Sequence, residues 1–96
     1  MVKVKISVII PIYNEEDSVD ETIRKIREIM KEANLEHEII AINDGSTDNS
    51  LEILKNIKGI TLITHNNNKG YGASLKEGIE NAKYDFILIT DADSTY

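Results

Sequence analysis

The sequence predicts an α/β domain built on a parallel sheet with helices on both faces, and three observations carry that prediction. Short apolar runs rich in β-branched residues alternate with amphipathic stretches of helical period, the βαβα order that gives parallel strands joined by right-handed crossovers. The 96 residues contain one Pro and five Gly, and no stretch has the composition of a linker, so a single unit is expected. Every apolar run also empties into a polar segment, and parallel strands bring all such ends to one edge.

Residues 5–10 form the first expected strand, with Pro11 as its stop because proline has no N–H for a central ladder. A helix is expected from Ser18, which with Glu21 three residues on makes a capping box, while Asp17, Asp20 and Glu21 suit the positive end of the helix dipole. Val19, Ile23, Ile26 and Met30 then fall on one apolar stripe facing the sheet. Residues 38–43 are the second strand, broken by Asp44-Gly45, after which Thr47 or Asp48 is expected to cap a short helix. Its inner face is Leu51, Leu54 and Ile57, helped by Ile53, and Gly59 closes it. Residues 60–64 are the third strand. A polar, Gly-bearing loop from His65 to Gly72 leads into a third helix reaching about Ala82, with Tyr71, Leu75, Ile79 and Ala82 inward and Ala73 and Gly78 allowing close approach. Residues 84–90 are an almost continuous apolar run that reads as a strand buried on both faces, emptying into Asp91-Ala92-Asp93. Two crossovers in one direction followed by a reversal predict the strand order 3-2-1-4, with the ligand crevice at the reversal.

Composition removes several functions. There are 17 acidic against 11 basic residues, for a formal charge of −6, and no basic run, so nucleic acid is excluded as a partner. An acidic chain can still hold an anionic nucleotide if a cation bridges them. Cysteine is absent, which rules out disulfide and thiol chemistry and suits a reducing, cytoplasmic setting. The first 13 residues imitate the charged and apolar regions of a signal peptide. Pro11 interrupts the run and Asn14-Glu15-Glu16-Asp17 stands in place of a cleavage site, so the segment reads as a buried strand. No apolar run approaches the length of a membrane span.

Asp91 and Asp93, one residue apart at the carboxyl end of a strand, repel each other unless a hard cation such as Mg²⁺ or Mn²⁺ sits between them, with phosphate oxygens completing its shell. Asp after a strand is equally ordinary turn chemistry. The other rim segments have plain readings too. Glu16 and Asp17 suit a solvated helix entrance, Asp44-Gly45 suits a turn with Gly45 at positive φ, and Asp48 suits a cap better than a ligand. Gly70-Tyr71-Gly72 follows the third strand and lacks a third Gly, so it is no dinucleotide fingerprint, and Lys69 lacks the context of a P-loop and counts only as a phosphate contact. His65 and His37 have no second His or Cys at ligand spacing and read as structural or solvated.

Taken together, Val8-Ile9-Ile10-Pro11-Ile12-Tyr13-Asn14-Glu15-Glu16, Asn43-Asp44-Gly45-Ser46-Thr47-Asp48, Asn68-Lys69-Gly70-Tyr71-Gly72-Ala73 and Asp91-Ala92-Asp93 resemble the successive signatures of the family 2 glycosyltransferases. Within that family the chain is most similar to the dolichyl-phosphate mannose or glucose synthase group. The resemblance implies a GT-A fold, with residues 1–96 forming its Rossmann-like, donor-nucleotide half. It implies that Pro11, Tyr13 and Glu15 wrap the nucleoside and that Asp44 accepts the imide N–H of the base. Gly70 and Gly72 would lie near the sugar-phosphate, and Asp91 and Asp93 would bind the ribose and a Mg²⁺ or Mn²⁺ ion. The implied donor is a UDP- or GDP-sugar and the implied acceptor a hydroxyl or a lipid phosphate such as polyprenyl phosphate, reached by inverting displacement in a protein associated with the membrane. The catalytic base is unknown and is expected beyond Tyr96, so this portion is expected to bind donor, to transfer nothing alone and to self-associate through the edge of its fourth strand.

Two other classes stay open. One is a non-catalytic nucleotide- or metal-binding α/β module. The other is a phospho-acceptor receiver domain, which needs acidic residues at the end of strand one and an acceptor Asp ending strand three, where this chain has Ile10-Pro11-Ile12 and Thr64-His65-Asn66.

Overall fold

Strand β1 (Lys5–Ile12) is paired on both sides within a four-stranded, all-parallel sheet. The computed structural model describes residues 4–92. In chain order, β1 is followed by α1 (Val19–Glu32), β2 (Glu36–Asp44), α2 (Ser50–Lys55), β3 (Thr61–His65), α3 (Tyr71–Glu80) and β4 (Phe86–Ile89). The strand order is β3-β2-β1-β4, as the connection rule predicts. The reversal falls between β1 and β4, so a crevice opens beyond their carboxyl ends.

Alternation along β1 and β2 splits the core in two. Val8, Ile10, Ile12, Ile39 and Ala41 face α1 and α2, while Ile9, Ile40 and Ile42 face the side of α3. The predicted stripe of α1 is the seal on the first face. Val19, Ile23, Ile26 and Met30 are all buried, and each such side chain contributes about 1.5–3 kcal/mol. On the other face α3 approaches closely at Gly78, where a Cβ would stand 2.6 Å from Ile9 Cγ2.

Several expectations change on contact with the structure. Pro11 does not stop β1, which continues to Ile12 paired with Asn43 of β2. Thr90 N donates to Ile9 O, so the polar groups of Ile9, and of Pro11 two residues on, point toward β4 and away from β2. Proline therefore ends only the ladder with β4. The capping box does not form: Ser18 stands at the N-cap of α1 with no side-chain cap bond, and its hydroxyl is spent on Ala92 O and on Glu15 Oε2. Asn49, and neither Thr47 nor Asp48, occupies the N-cap of α2, although Asp48 Oδ1 accepts the N–H of Ser50 at 2.9 Å. Leu54 is the buried residue of the expected α2 face, with Ile53 and Ile57 packed around it. In α3 the buried positions are Ser74 and Gly78; of the residues expected inward, Leu75 and Ala82 are half-buried and pack against the core as predicted, while Tyr71 and Ile79 are exposed, because the helix meets the sheet most closely through its small residues.

The largest departure concerns β4. It is shorter than the apolar run suggests, and all four of its residues are exposed, from Ile87 at 37% to Phe86 at 62%. Among the described residues β4 pairs only with β1, and apolar composition alone does not supply a cover. Leu88 and Ile89 line an open apolar groove of about 250 Å³ with Ile26, Ile29 and Met30 of α1. The entry to β4 is tied down at the opposite end of the sheet, where Glu38 accepts from Ser7 Oγ and Lys83 N at 2.6 Å each. Among the described residues, no helix is long and apolar enough to cross a membrane.

Candidate functional site

The carboxyl ends of the strands enclose a cleft of about 490 Å³. Its walls include Pro11, Tyr13, Glu15, Asp44, Gly70 and Asp91, six of the residues singled out from sequence. Gly72 lies exposed in the first turn of α3 and is not part of the lining, and Asp93 lies outside the described residues. Asn68, in the loop expected on the rim, also lines the cleft; sequence reasoning missed Ser74 and put Tyr71 on the inner face of α3, whereas Tyr71 is 56% exposed and lines the cleft, as does Tyr13. The signal for Tyr71 was its place at the first position of a helix that starts on the rim.

Asp44 ends β2 and is 4% exposed. Its Oδ1 accepts the N–H of Lys69 at 2.8 Å and faces Nδ1 of His65 at 2.8 Å, while Oδ2 accepts the N–H of Gly70 at 2.9 Å. His65 ends β3, is also buried, and meets Glu77 of α3 through Nε2. Both ring nitrogens face carboxyl groups, and an ionised carboxylate only accepts, so the arrangement favours the doubly protonated ring. The hydrogen bonds to Asp44 and then Glu77 push the His65 pKa up against the opposing effect of burial. Burial alone would raise the Asp44 carboxyl, but the donors of Lys69, His65 and Gly70 together hold it below its ordinary value. Gly45 makes this possible. At φ +71° it lies under the 66–70 loop, where a Cβ would stand 2.5 Å from Asn68 N, so any side chain would lift the loop off Asp44.

A second set of bonds joins the loops after β1 and β2. Asn14, in the left-handed region at φ 52°, accepts the N–H of Thr47 on Oδ1 at 2.7 Å and donates its own N–H to Ser46 Oγ at 3.0 Å. The next two N–H groups go to Ser50 Oγ at 2.9 Å and Asp48 Oδ2 at 3.1 Å. The loop carrying Tyr13 and Glu15 is thus fastened to the one that carries Asp44, and Asp48 is structural. Its pKa is lowered although burial opposes this, chiefly by the bonds from Ser50 and Glu16.

On the far wall, Asp91 is exposed and makes no hydrogen bond or ion pair among the described residues. Among the described residues, every charged one lining the cleft is acidic: Glu15, Asp44 and Asp91. No group of three metal-ligating side chains converges among the described residues.

The model of glycosyl transferase family 2 matches residues 7–96. The chain belongs to that family. Relatives at this level include the undecaprenyl-phosphate 4-deoxy-4-formamido-L-arabinose transferase of Pseudomonas fluorescens, 33% identical over 93 residues, or 92% of this chain and 27% of that protein. The chain therefore spans about a quarter of the length of this relative. Among solved structures, TarS of S. aureus in complex with UDP-GlcNAc superposes with a TM-score of 0.77 at 27% identity, over 93% of this chain and 26% of that one. The mannosyltransferase PcManGT of Pyrobaculum calidifontis, in complex with GDP-Man and Mn²⁺, superposes with a TM-score of 0.83 at 23% identity, over 96% and 28%, a likeness of fold. The α/β unit with order 3-2-1-4 is that of the GT-A glycosyltransferases, an enzyme family.

Proposed function

We propose that this chain provides the donor-nucleotide half of an inverting, metal-dependent glycosyltransferase that moves a sugar from a nucleotide-sugar to a hydroxyl or a lipid phosphate. The observation that carries the reading is the charge of the cleft. Among its lining residues all the charged ones are carboxylates, so a diphosphate enters only with a cation. The donor set suits that cation: Asp91 offers a hard oxygen free of other partners among the described residues, and Asp93 follows it in sequence. Asp91 and Asp93 would hold Mg²⁺ or Mn²⁺, which as a Lewis acid stabilises the negative charge that develops on the departing diphosphate.

The chain's own residues do the positioning. Tyr13 and Tyr71 offer ring faces in the cleft for the base, and Asp44, fixed by His65 and the 66–70 loop, offers an acceptor for a base N–H. The N-terminus of α3 starts at the rim with no acid in its first turn, so its unpaired N–H groups suit phosphate oxygens. In the transfer itself, an acceptor oxygen bonds to the anomeric carbon while the bond from that carbon to the diphosphate oxygen breaks. The leaving group takes the electron pair; a base takes the proton of a hydroxyl acceptor, whereas the oxygen of a lipid phosphate is already anionic. A lipid-phosphate acceptor is supported by the named substrate of the Pseudomonas relative.

Calorimetric titration with UDP-GlcNAc in Mn²⁺, repeated in EDTA and with Asp91→Asn, tests the reading. Binding is expected in Mn²⁺ only, and weakened at least about tenfold by the substitution. Undiminished binding in EDTA would overturn the metal role.

A further inference from the structure

After Thr90 the chain leaves the sheet. The N–H of Thr90 donates to Ile9 O at 3.1 Å, and the next donor of that ladder would be the N–H of Pro11, which has none. Asp91 and Ala92 therefore lie beyond the last bond to β1, on the cleft wall that follows β4. Ala92 is nonetheless only 2% exposed. It belongs to the core cluster that α1 shares with β1, and its carbonyl accepts from Ser18 Oγ.

The Ser18 hydroxyl is not used by the helix it precedes. Ser18 is the N-cap of α1 without a side-chain cap bond, and the helix starts instead on the carbonyl of Glu15, which accepts the N–H of Ser18 at 3.1 Å and that of Val19 at 2.9 Å. A hydroxyl donates once. Glu15 Oε2 stands 3.4 Å away, at the outer limit of a hydrogen bond, so the proton goes to the buried carbonyl of Ala92.

We propose that Ser18 is a positioning residue for the divalent cation: by holding the carbonyl of Ala92 it fixes the backbone of Asp91 between two anchors, Thr90 N–H on one side and Ala92 C=O on the other. The inference rests on the reading of Asp91 as a cation ligand. Such a ligand has two conflicting needs. Its oxygens must be free of other partners, yet a carboxylate on a loose segment loses affinity to the entropy of ordering that segment. Tying the main chain on both sides of Asp91 and leaving its side chain alone meets both needs.

Titration of the 96-residue chain with Mn²⁺ alone, the free ion read by electron paramagnetic resonance, tests the role beside amide exchange of the metal-free chain. Ser18→Ala is expected to weaken Mn²⁺ binding about threefold to tenfold and to speed exchange at Thr90 relative to β2, while Ser18→Thr, which keeps the hydroxyl, stays within about twofold of wild type. A hydroxyl that serves only the stability of α1 would lower the urea midpoint and leave the Mn²⁺ affinity of the folded chain unchanged, and that result overturns the role of Ser18 while the cation site stands. Should Ser18→Ala fail to fold, Ala92→Gly loosens the same segment from the core side, and an unchanged Mn²⁺ affinity there overturns the role equally. Failure of the wild-type chain to bind Mn²⁺, alone or with UDP-GlcNAc, overturns the reading of Asp91 as a ligand and the role of Ser18 with it.

Discussion

On one wall of the cleft, Asp44 is 4% exposed and engages His65, Lys69 and Gly70; on the other, Asp91 is exposed and bonds to nothing among the described residues. The same contrast holds for the strands beneath them. β2 is paired on both sides and its last six residues are buried, whereas β4 is paired on one side and exposed throughout. Under the proposed function, a carboxylate that contacts the nucleotide gains from being fixed before the ligand arrives, and one that takes a cation has to be free of other partners. The two walls hold the same side chain in opposite states.

Substitutions can break this contrast. Asp44→Ala is expected to have the largest effect, about 3 kcal/mol of lost stability, because it leaves a buried imidazolium short of one partner and the 66–70 loop without its anchor. Glu77 keeps the loss at the low end of the range for a broken buried pair. Urea denaturation measures it, and a loss under 1 kcal/mol would mean that the buried wall is not braced as described.

The next effect is set by pH. The His65 pKa is raised in the folded state by Asp44 and then Glu77, so its contribution is complete below the ordinary value of 6.5 and is lost as pH rises through the raised one. The Asp44 pKa is lowered, despite its burial, by Lys69, His65 and Gly70; its contribution is complete above 3.8 and is lost as pH falls through the lowered value. Stability should therefore be flat from about pH 4 to 6.5 and decline above it. Glu77→Gln should move the alkaline decline to lower pH. A midpoint of urea unfolding that is constant from pH 6 to 9 would dismiss the clamp.

The exposed wall should be tolerant. Leu88→Lys is expected to cost less than about 1 kcal/mol, as the side chain is 42% exposed, while abolishing the self-association expected of an uncovered apolar edge. Sedimentation at high concentration reads it, and a monomeric wild-type chain would remove the edge argument. Smallest of all, Asp91→Asn should leave stability within about 0.5 kcal/mol while weakening nucleotide binding in Mn²⁺. A large stability loss would show that Asp91 is structural.

The parts legible in sequence were those fixed by local period and by connection rules. The α1 stripe is a matter of spacing within 12 residues, and the strand order follows from short right-handed crossovers. The site residues could be placed on one rim because parallel strands share a direction. The clamp was not legible, because His65 and Asp44 are 21 residues apart and nothing local distinguishes a clamped histidine from a solvated one. Ser18 misled for a related reason. Its pattern with Glu21 has a local solution, and a distant carbonyl at Ala92 took the hydroxyl instead. The uncovered outer edge of β4 was legible from its place at the end of the sheet, but the exposure of its faces was not, because an apolar run reports what a strand can bury and not whether anything covers it.

That Ser18 to Ala92 bond joins groups 74 residues apart in the chain. Contacts of such span bear the loop-closure entropy of everything between them and form only after the intervening strands and helices are placed. The exposed wall should accordingly be the last piece to assemble and the first to let go. Hydrogen exchange at Thr90, whose N–H closes the ladder onto Ile9, should then proceed through an opening that costs less than global unfolding, while amides of β2 wait for the whole domain to unravel. The cleft would then open along one side by local unfolding within the native ensemble.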